Sequence, residues 1–372
     1  MDPLKVFCHN PACPARGKLD GGNIGIHSLK KRRYICHLCG KTFTESKGTV
    51  FYRLQYPVEF VTQIITLLAH GCPLAAIVAA FELDERTVAS WQGRAGEHCH
   101  QVHEHLVEQP RGLGQVQADE IRVKHQGGIV WLAMALQVST RLWLGGVVSA
   151  HRDGKLITHL IEQVRRCALC RGLLFCVDGF SAYVSSIQKV FRTPVFTGKP
   201  GRPHLRAWER ICIVQVIKQV SQRRVTRIIR RIAGGAPEQV ESLLKQTQNT
   251  LQGHVAYIER LNGTFRSRIA ALARRGRSLA RQSETLNQAM YLVGTVYNFC
   301  AAHKSLRLVL YLPNNSKRWV PRTPAMAAGI TDHIWTVREL LSYQVPLSPW
   351  EPPKRRGRPT DHVKELIKRW IL

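Results

Sequence analysis

Apolar positions between residues 57 and 105 recur at helical spacing, and turn residues interrupt them twice. Val58, Val61, Ile64, Ile65 and Leu68 form one stripe behind Pro57, a residue suited to a first helical position, and the stripe stops at Gly71. Pro73 opens a second short helix, "PLAAIVAAF". "ELD" then makes a turn, with Asp84 placed to cap a third helix that begins at Glu85. Val88, Trp91 and Ala95 have core spacing in that helix, whereas Arg86, Ser90 and Arg94 fall on another face. Two helices joined by a tight turn predict a helix-turn-helix over 49–107, with these three polar residues meeting bases or phosphates. An ordinary helical bundle is the plainer alternative.

After "EQPRGLGQ" (108–115), a linker by composition, the period changes. "QVQADEIRVK", "GIVWLAMALQV" and "RLWLGGVVSA" read as three strands, the last two largely apolar, as in a covered sheet. A helical stripe follows (Leu156, Ile157, Leu160, Ile161, Val164), then "LLFCV" (173–177) as a buried strand, "AYVSSIQKVF" (182–191) as a helix and "TPVFT" (193–197) as a further strand. The order β-β-β-α-β-α-β followed by helices predicts an α/β fold, an RNase H-like mixed-sheet domain over 113–310 with a basic insertion at about 198–250. Within that insertion, "RRVTRIIRRI" (223–232) fits a helix or a strand equally well. Beyond Tyr311 the chain reads as a Pro- and Trp-rich basic tail (311–372).

Charge changes the picture more than composition does. The 372 residues carry 54 Lys plus Arg against 25 Asp plus Glu, a net charge of +29. Residues 197–281 alone hold 18 basic residues and four acids. Such an excess points to an anionic polymer, because each phosphate neutralised releases a counterion. "IVWLAMAL" (129–136) is too short to span a bilayer, so a membrane partner is not expected. The start, "MDPLKVFCHNPACP", has no apolar core behind a basic stretch, and a reducing, cytoplasmic setting is expected. "KRRGRP" (354–359) suits insertion into a narrow minor groove, with Arg356 and Arg358 either side of Gly357.

Eleven cysteines fit metal ligation and buried thiols better than disulfides. Cys8, Cys13, Cys36 and Cys39 form two knuckles within 1–48, the pattern of a tetrahedral structural Zn²⁺. So short a segment cannot fold on burial alone, and a zinc site would contribute roughly 10–16 kcal/mol. "HCHQVHEH" (98–105) spreads its imidazoles around a helix and makes a poor metal site.

Three acids stand apart from this basic background. Asp119 lies mid-strand and Asp178 just past the carboxyl end of a buried strand, expensive positions unless the charge is paired or binds metal. If those strands are neighbours, both acids meet at one edge of the sheet. In "YIERLNGTFRSRIAALARR" (257–275), Ile258, Leu261, Phe265, Ile269 and Leu272 make the packed stripe of a helix. Glu259, Asn262 and Arg266 flank that stripe, while Arg260, Ser267 and Arg274 point away, where phosphate can meet them. Two carboxylates ~4 Å apart repel by about 4 kcal/mol at an effective dielectric near 20, and Mg²⁺ or Mn²⁺ would relieve that. Ordinary ion pairs with nearby arginines would also relieve it.

"CHNPACP…RYICHLCGKTF", "VQADE", "FCVDGFSAY", "YIERLNGTFRSRIAALARRGRSLAR" and "YNFCAAHKSL" together resemble bacterial insertion-sequence transposases of the DDE type, closest to the insertion-sequence-1 family. The resemblance covers most of the chain to about residue 310. It implies an RNase H-like core, two-metal chemistry, and double-stranded DNA with terminal inverted repeats as substrate. It also implies a homo-oligomer working on DNA in the bacterial nucleoid. By motif it places the catalytic acids on Asp119, Asp178 and Glu259. The helix reading itself makes Arg260, Asn262, Arg266 and Arg274 the expected DNA contacts. Many relatives carry Trp shortly after the first Asp-Glu pair, where this chain has Ile121 and Arg122, so Glu120 stays open as a ligand. A non-catalytic DNA-binding regulator and an RNase H-fold nuclease are the rival expectations.

Overall fold

A computed structural model describes residues 1–196, 201–222, 224–248, 251–273, 282–311, 316–348 and 361–370. The chain divides into two compact units, Met1–Lys47 with Pro346–Leu372, and Gly48–Val345. In the first unit, β1 (Ile24–Ser28), β2 (Arg33–Cys36) and β3 (Thr42–Thr44) form an antiparallel meander. Its apolar content is small, chiefly Val6, Phe7, Tyr34 and Phe43. Gly40 follows the second cysteine knuckle at φ +65°, a left-handed position that favours glycine, and its amide closes the turn onto the Cys36 carbonyl at 2.8 Å.

The second unit begins with α1 (Val58–Ala69), α2 (Leu74–Phe81) and α3 (Glu85–Leu106). These match the expected starts: Pro57 and Pro73 stand at the N-caps of α1 and α2, and the Asp84 carboxylate accepts from the amides of Arg86 and Thr87. Glu82, at φ +51°, turns the chain between α2 and α3. The predicted core residues Val88, Trp91 and Ala95 are buried.

A six-stranded mixed sheet follows. Its members are β4 (Gly114–His125), β5 (Gly128–Gln137), β6 (Trp143–Ser149) and, after α4 (Gly154–Cys167), β7 (Leu173–Val177). Next come α5 (Ser181–Val190), a separate hairpin of β8 (Arg192–Val195) and β9 (His204–Ala207), and then β10 (Ile211–Ser221) and β11 (Arg224–Gly234). The order across the sheet is β11-β10-β7-β4-β5-β6, with β4–β7 and β7–β10 parallel and the other pairs antiparallel. "TPVFT" is therefore not the fifth strand of this sheet. Pro194 has no amide to donate to a central ladder, and β8 is exposed throughout. The buried run Cys212–Val216 takes that place, so part of the presumed basic insertion is core. "RRVTRIIRRI" falls largely within β11 and is a strand.

The helices cover both faces. Val116, Ala118, Phe175 and Val177 pack with α4 and α5 on one side. On the other side Ile121, Val123 and Val214 pack with α3, α6 (Pro237–Gln248), α7 (Ala256–Arg268) and α8 (Ser283–Phe299). All five residues of the stripe expected over 257–275 are buried here, although α7 ends at Arg268 and a short 3-10 turn carries the last of them. A small hairpin of β12 (Leu308–Tyr311) and β13 (Lys317–Val320) leads to α9 (Pro324–Ala327) and α10 (Val337–Ser342). Leu340 and Leu341 of α10 are fully buried in the main core, so the chain is not a tail as far as Val345. The last element, α11 (Asp361–Trp370), belongs to the first unit.

Two helical glycines show how closely α8 is seated. A Cβ on Gly96 of α3 would lie 2.4 Å from the Gln288 carbonyl oxygen, and one on Gly294 would lie 2.3 Å from the Trp143 ring. Overpacking of this kind costs about 1–3 kcal/mol, against roughly 1 kcal/mol that Ala gains over Gly in a helix. Gly294→Ala is therefore expected to lower the urea midpoint without changing the slope. An unchanged or raised midpoint would mean that the indole moves aside freely.

Candidate functional site

The parallel register of β4 and β7 pairs Gln117 with Cys176. Asp119 and Asp178 each lie two residues further along, so the strand arithmetic brings them to the same level. Glu120 joins them: Asp119, Glu120 and Asp178 each offer a carboxylate oxygen within 4.8 Å of the others. Neighbouring residues of a strand point to opposite faces. Asp119 accordingly faces α7, where the Asn262 amide donates to its Oδ2 at 2.8 Å. Glu120 faces α4 and α5, with only 2% of its side chain exposed. Asp178 sits at the strand end, and its Oδ1 accepts from the Phe180 amide at 2.9 Å at the start of α5.

Glu259 comes from the first turn of α7 and lines the same cavity, of about 610 Å³, as Asp119, Asp178, Arg152 and Lys218. It is ion-paired with Lys218 and does not belong to the tight group of three. Arg152 bridges Glu120 and Asp178 at 3.1 Å to each, and its guanidinium lies 4.3 Å from the Phe180 ring centroid. These two cations carry no motif; they reach the acids only through the fold. Lys218 is brought there by the pairing of β10 beside β7, which no sequence signal announces.

Burial raises the Asp119 carboxyl, and the charges of Glu120, Asp178 and Glu259 add to it, to about 7. Burial and Asp178 also raise Glu120, against the pull of Arg152. Three hard carboxylates, together with the buried and unpartnered Oε1 of Glu120 and Oδ1 of Asn262, form a donor set that suits a divalent cation such as Mg²⁺. The pH dependence follows by sign. Asp119 titrates higher in the fold than the ~3.9 of an unfolded chain, so the stability its proton brings is complete below about pH 4 and is lost as the pH rises through 7. A cation replaces that proton. The rise in Tm on adding Mg²⁺ should thus be larger near pH 8 than near pH 6. Equal rises would remove Asp119 from the ligand set.

In the first unit the four cysteine sulfurs lie within 4.8 Å of one another. Cys8 and Cys39 are 3.6 Å apart, and Cys13 and Cys36 3.8 Å. Asn23 Nδ2 donates to the Cys36 sulfur at 3.3 Å and the Asn10 amide to that of Cys8 at 3.4 Å, while burial holds the Cys8 and Cys13 thiols well above their usual range. Burial alone would raise Cys39, but donors from Asn10 and the Lys41 amide bring it down to about 6. The cluster is compatible with Zn²⁺. His9 is not needed, since it packs against Phe7 and Phe43 and burial lowers it to about 4.

The remaining site expectations divide. Arg86 and Ser90 are exposed on α3, and Arg260 is exposed on α7. Arg94 instead donates to the Tyr52 carbonyl at 2.7 Å and ties down the loop before α1. Asn262 is 1% exposed and donates to Asp119, so it is not the surface contact expected of it. Arg266 is half-buried. Arg274, Arg356 and Arg358 lie outside the described residues. In "HCHQVHEH", His98 and His103 are buried and bond the carbonyls of Leu340 and Leu144, which accounts for them structurally.

No protein-family model matches this chain, and no curated protein matches it either. Among the described residues, no helix is long and apolar enough to cross a membrane.

Proposed function

We propose that the protein is a DNA transposase of the DDE type, which binds the ends of its element and cuts and joins DNA strands with divalent metal. The observation that carries this reading is the convergence of Asp119, midway along β4, and Asp178, just past the end of the adjacent parallel β7, with Glu259 from α7 lining the same cavity. Three antiparallel strands followed by two parallel ones, with helices on both faces, support an RNase H-like core. The capped α3, set off from α2 by a short turn, supports a helix-turn-helix that presents Arg86 and Ser90. The net charge of +29 supports a nucleic-acid substrate, and the four-cysteine cluster supports a zinc ribbon.

Asp119, Asp178 and Glu259, which line the cavity, would hold the cations, with Glu120 beside Asp119 and Asp178 as a fourth donor. Bound Mg²⁺ would activate a water or a 3′-hydroxyl and stabilise the leaving oxygen. Asn262 fixes the orientation of Asp119. Arg152 and Lys218 offset the mutual repulsion of the acids and are placed to meet substrate phosphates.

The test is strand transfer by the purified full chain in Mg²⁺, using duplexes that end in the inverted repeats flanking its coding region. Joined products that require both the metal and the repeats are expected. Hydrolysis without joining would favour a nuclease. A second reading has its own support: Arg152 and Lys218 already give Glu120, Asp178 and Glu259 cationic partners, as in a non-catalytic DNA-binding regulator. Calorimetry with Mg²⁺ or Mn²⁺ separates the two, since the regulator would bind neither ion at the acids.

A further inference from the structure

Val216, Ile217 and Lys218 form one wall of the acid cavity, and beyond them β10 and β11 run on as a two-stranded ribbon. From Lys218 to the tip the described residues are exposed, apart from a half-buried Ile229 on the returning strand. No carboxylate occurs between Glu209 and Glu238, whereas Lys218, Arg224, Arg227, Arg230 and Arg231 all lie on the ribbon.

The register sorts these cations by face. Gln219 pairs with Arg227 but Val220 pairs with Val225, so Thr226 is an extra, bulged residue, its hydroxyl donating to the Gln219 carbonyl at 3.2 Å. Without the bulge, Arg224 and Arg227 would point to opposite faces. With it, Arg224 (opposite Ser221), Arg227 (opposite Gln219) and Arg231 (opposite Gln215) share one face. The other face carries Val220, Val225 and Ile228, and its two cations are engaged: Lys218 with Glu259, and Arg230 with the Gly253 carbonyl at 2.9 Å. Among the described residues, none of the three aligned arginines has a carboxylate partner; Arg231 reaches only the Gln215 amide oxygen.

We propose that this arginine face is a duplex-DNA contact surface that holds the phosphate backbone beside the acid cavity. The proposal rests on the reading of the protein as acting on DNA, and it specifies where the duplex lies. Guanidinium forks suit phosphate oxygens, and three of them uncompensated on one face of a narrow ribbon match a polyanion better than a protein partner. The tip lies roughly 10 Å beyond Lys218 at a strand's rise per residue, about three base-pair steps of duplex. The ribbon thus grips DNA close to the bond to be cut.

The test uses the full chain and a short duplex of unrelated sequence, with affinity measured across a salt series. Arg224→Ala with Arg227→Ala is expected to weaken binding and flatten the log–log salt slope by about 1.8, the value for two lost phosphate contacts. Arg224→Lys with Arg227→Lys should keep the slope, and Val220→Ser with Val225→Ser, on the opposite face, should leave it unchanged. An unaltered slope in the double alanine variant overturns the proposal, as does an equal loss in the double serine variant. A parent chain that binds no duplex even at low salt would instead overturn the DNA reading itself.

Discussion

Asp178→Asn is expected to leave DNA binding at the parental level and to lower metal-dependent cleavage and joining by about 10³-fold or more, roughly 4 kcal/mol or more of transition-state stabilisation. The substitution is nearly isosteric. Its remaining carbonyl oxygen can still accept from the Phe180 amide, so the turn into α5 keeps its hydrogen bond, and loss of the partly exposed pair with Arg152 costs about 1 kcal/mol or less. What disappears is the charge that a cation needs. Asp119→Asn and Glu259→Gln should give losses of the same order, and double variants should be scarcely worse than single ones, because the acids act as a unit. Glu120→Gln should differ in kind. Its carboxylate is nearly enclosed and paired with Arg152, but Arg152 keeps Asp178, so a stability loss of about 1 kcal/mol should come with a milder loss of activity. An Asp178→Asn protein that joins ends at the parental rate would show these acids to be structural.

Removal of zinc should have the other large effect. With so little apolar side chain in the first unit, the ~10–16 kcal/mol of a structural zinc site exceeds what burial can supply there. A strong chelator, or Cys36→Ser, is therefore expected to abolish amide protection in β1, β2 and β3, while β4, β5 and β7 stay protected. The two readouts come from one exchange experiment on the full chain. Protected β1–β3 amides in protein shown to hold no zinc would refute the assignment.

The parts of this fold that were legible in the sequence are those written in local chemistry. Pro57, Pro73 and Asp84 mark three helix starts, and the two cysteine knuckles lie close enough in sequence to be read together. Asp119 and Asp178 were legible because charge in an apolar strand is costly. What sequence could not show was lateral. Asn262 and Glu259 both flank the packed stripe of α7, yet in the fold one reaches Asp119 and the other pairs with Lys218. The fifth strand was misplaced because "TPVFT" has a strand's composition, while "ICIVQV" is followed by the polar and basic part of the ribbon. The tail reading failed at Leu340 and Leu341, whose partners are more than two hundred residues earlier in α1 and α3.

The 22 residues of α3 span about 33 Å, and the helix leads two lives along that length. Its first turns are exposed at Arg86 and Ser90, whereas Cys99, Val102 and His103 are buried against α8 and the sheet. Such a rod has no joint at which one end could be exchanged without the other feeling it. In the proposed reading, in which the exposed turns of α3 meet DNA, recognition is therefore not an interchangeable cartridge. A graft that gave the chain a new DNA address by replacing α2 and α3 would also remove a girder from the sheet that carries the acids. Retargeting has to proceed side chain by side chain on the exposed turns.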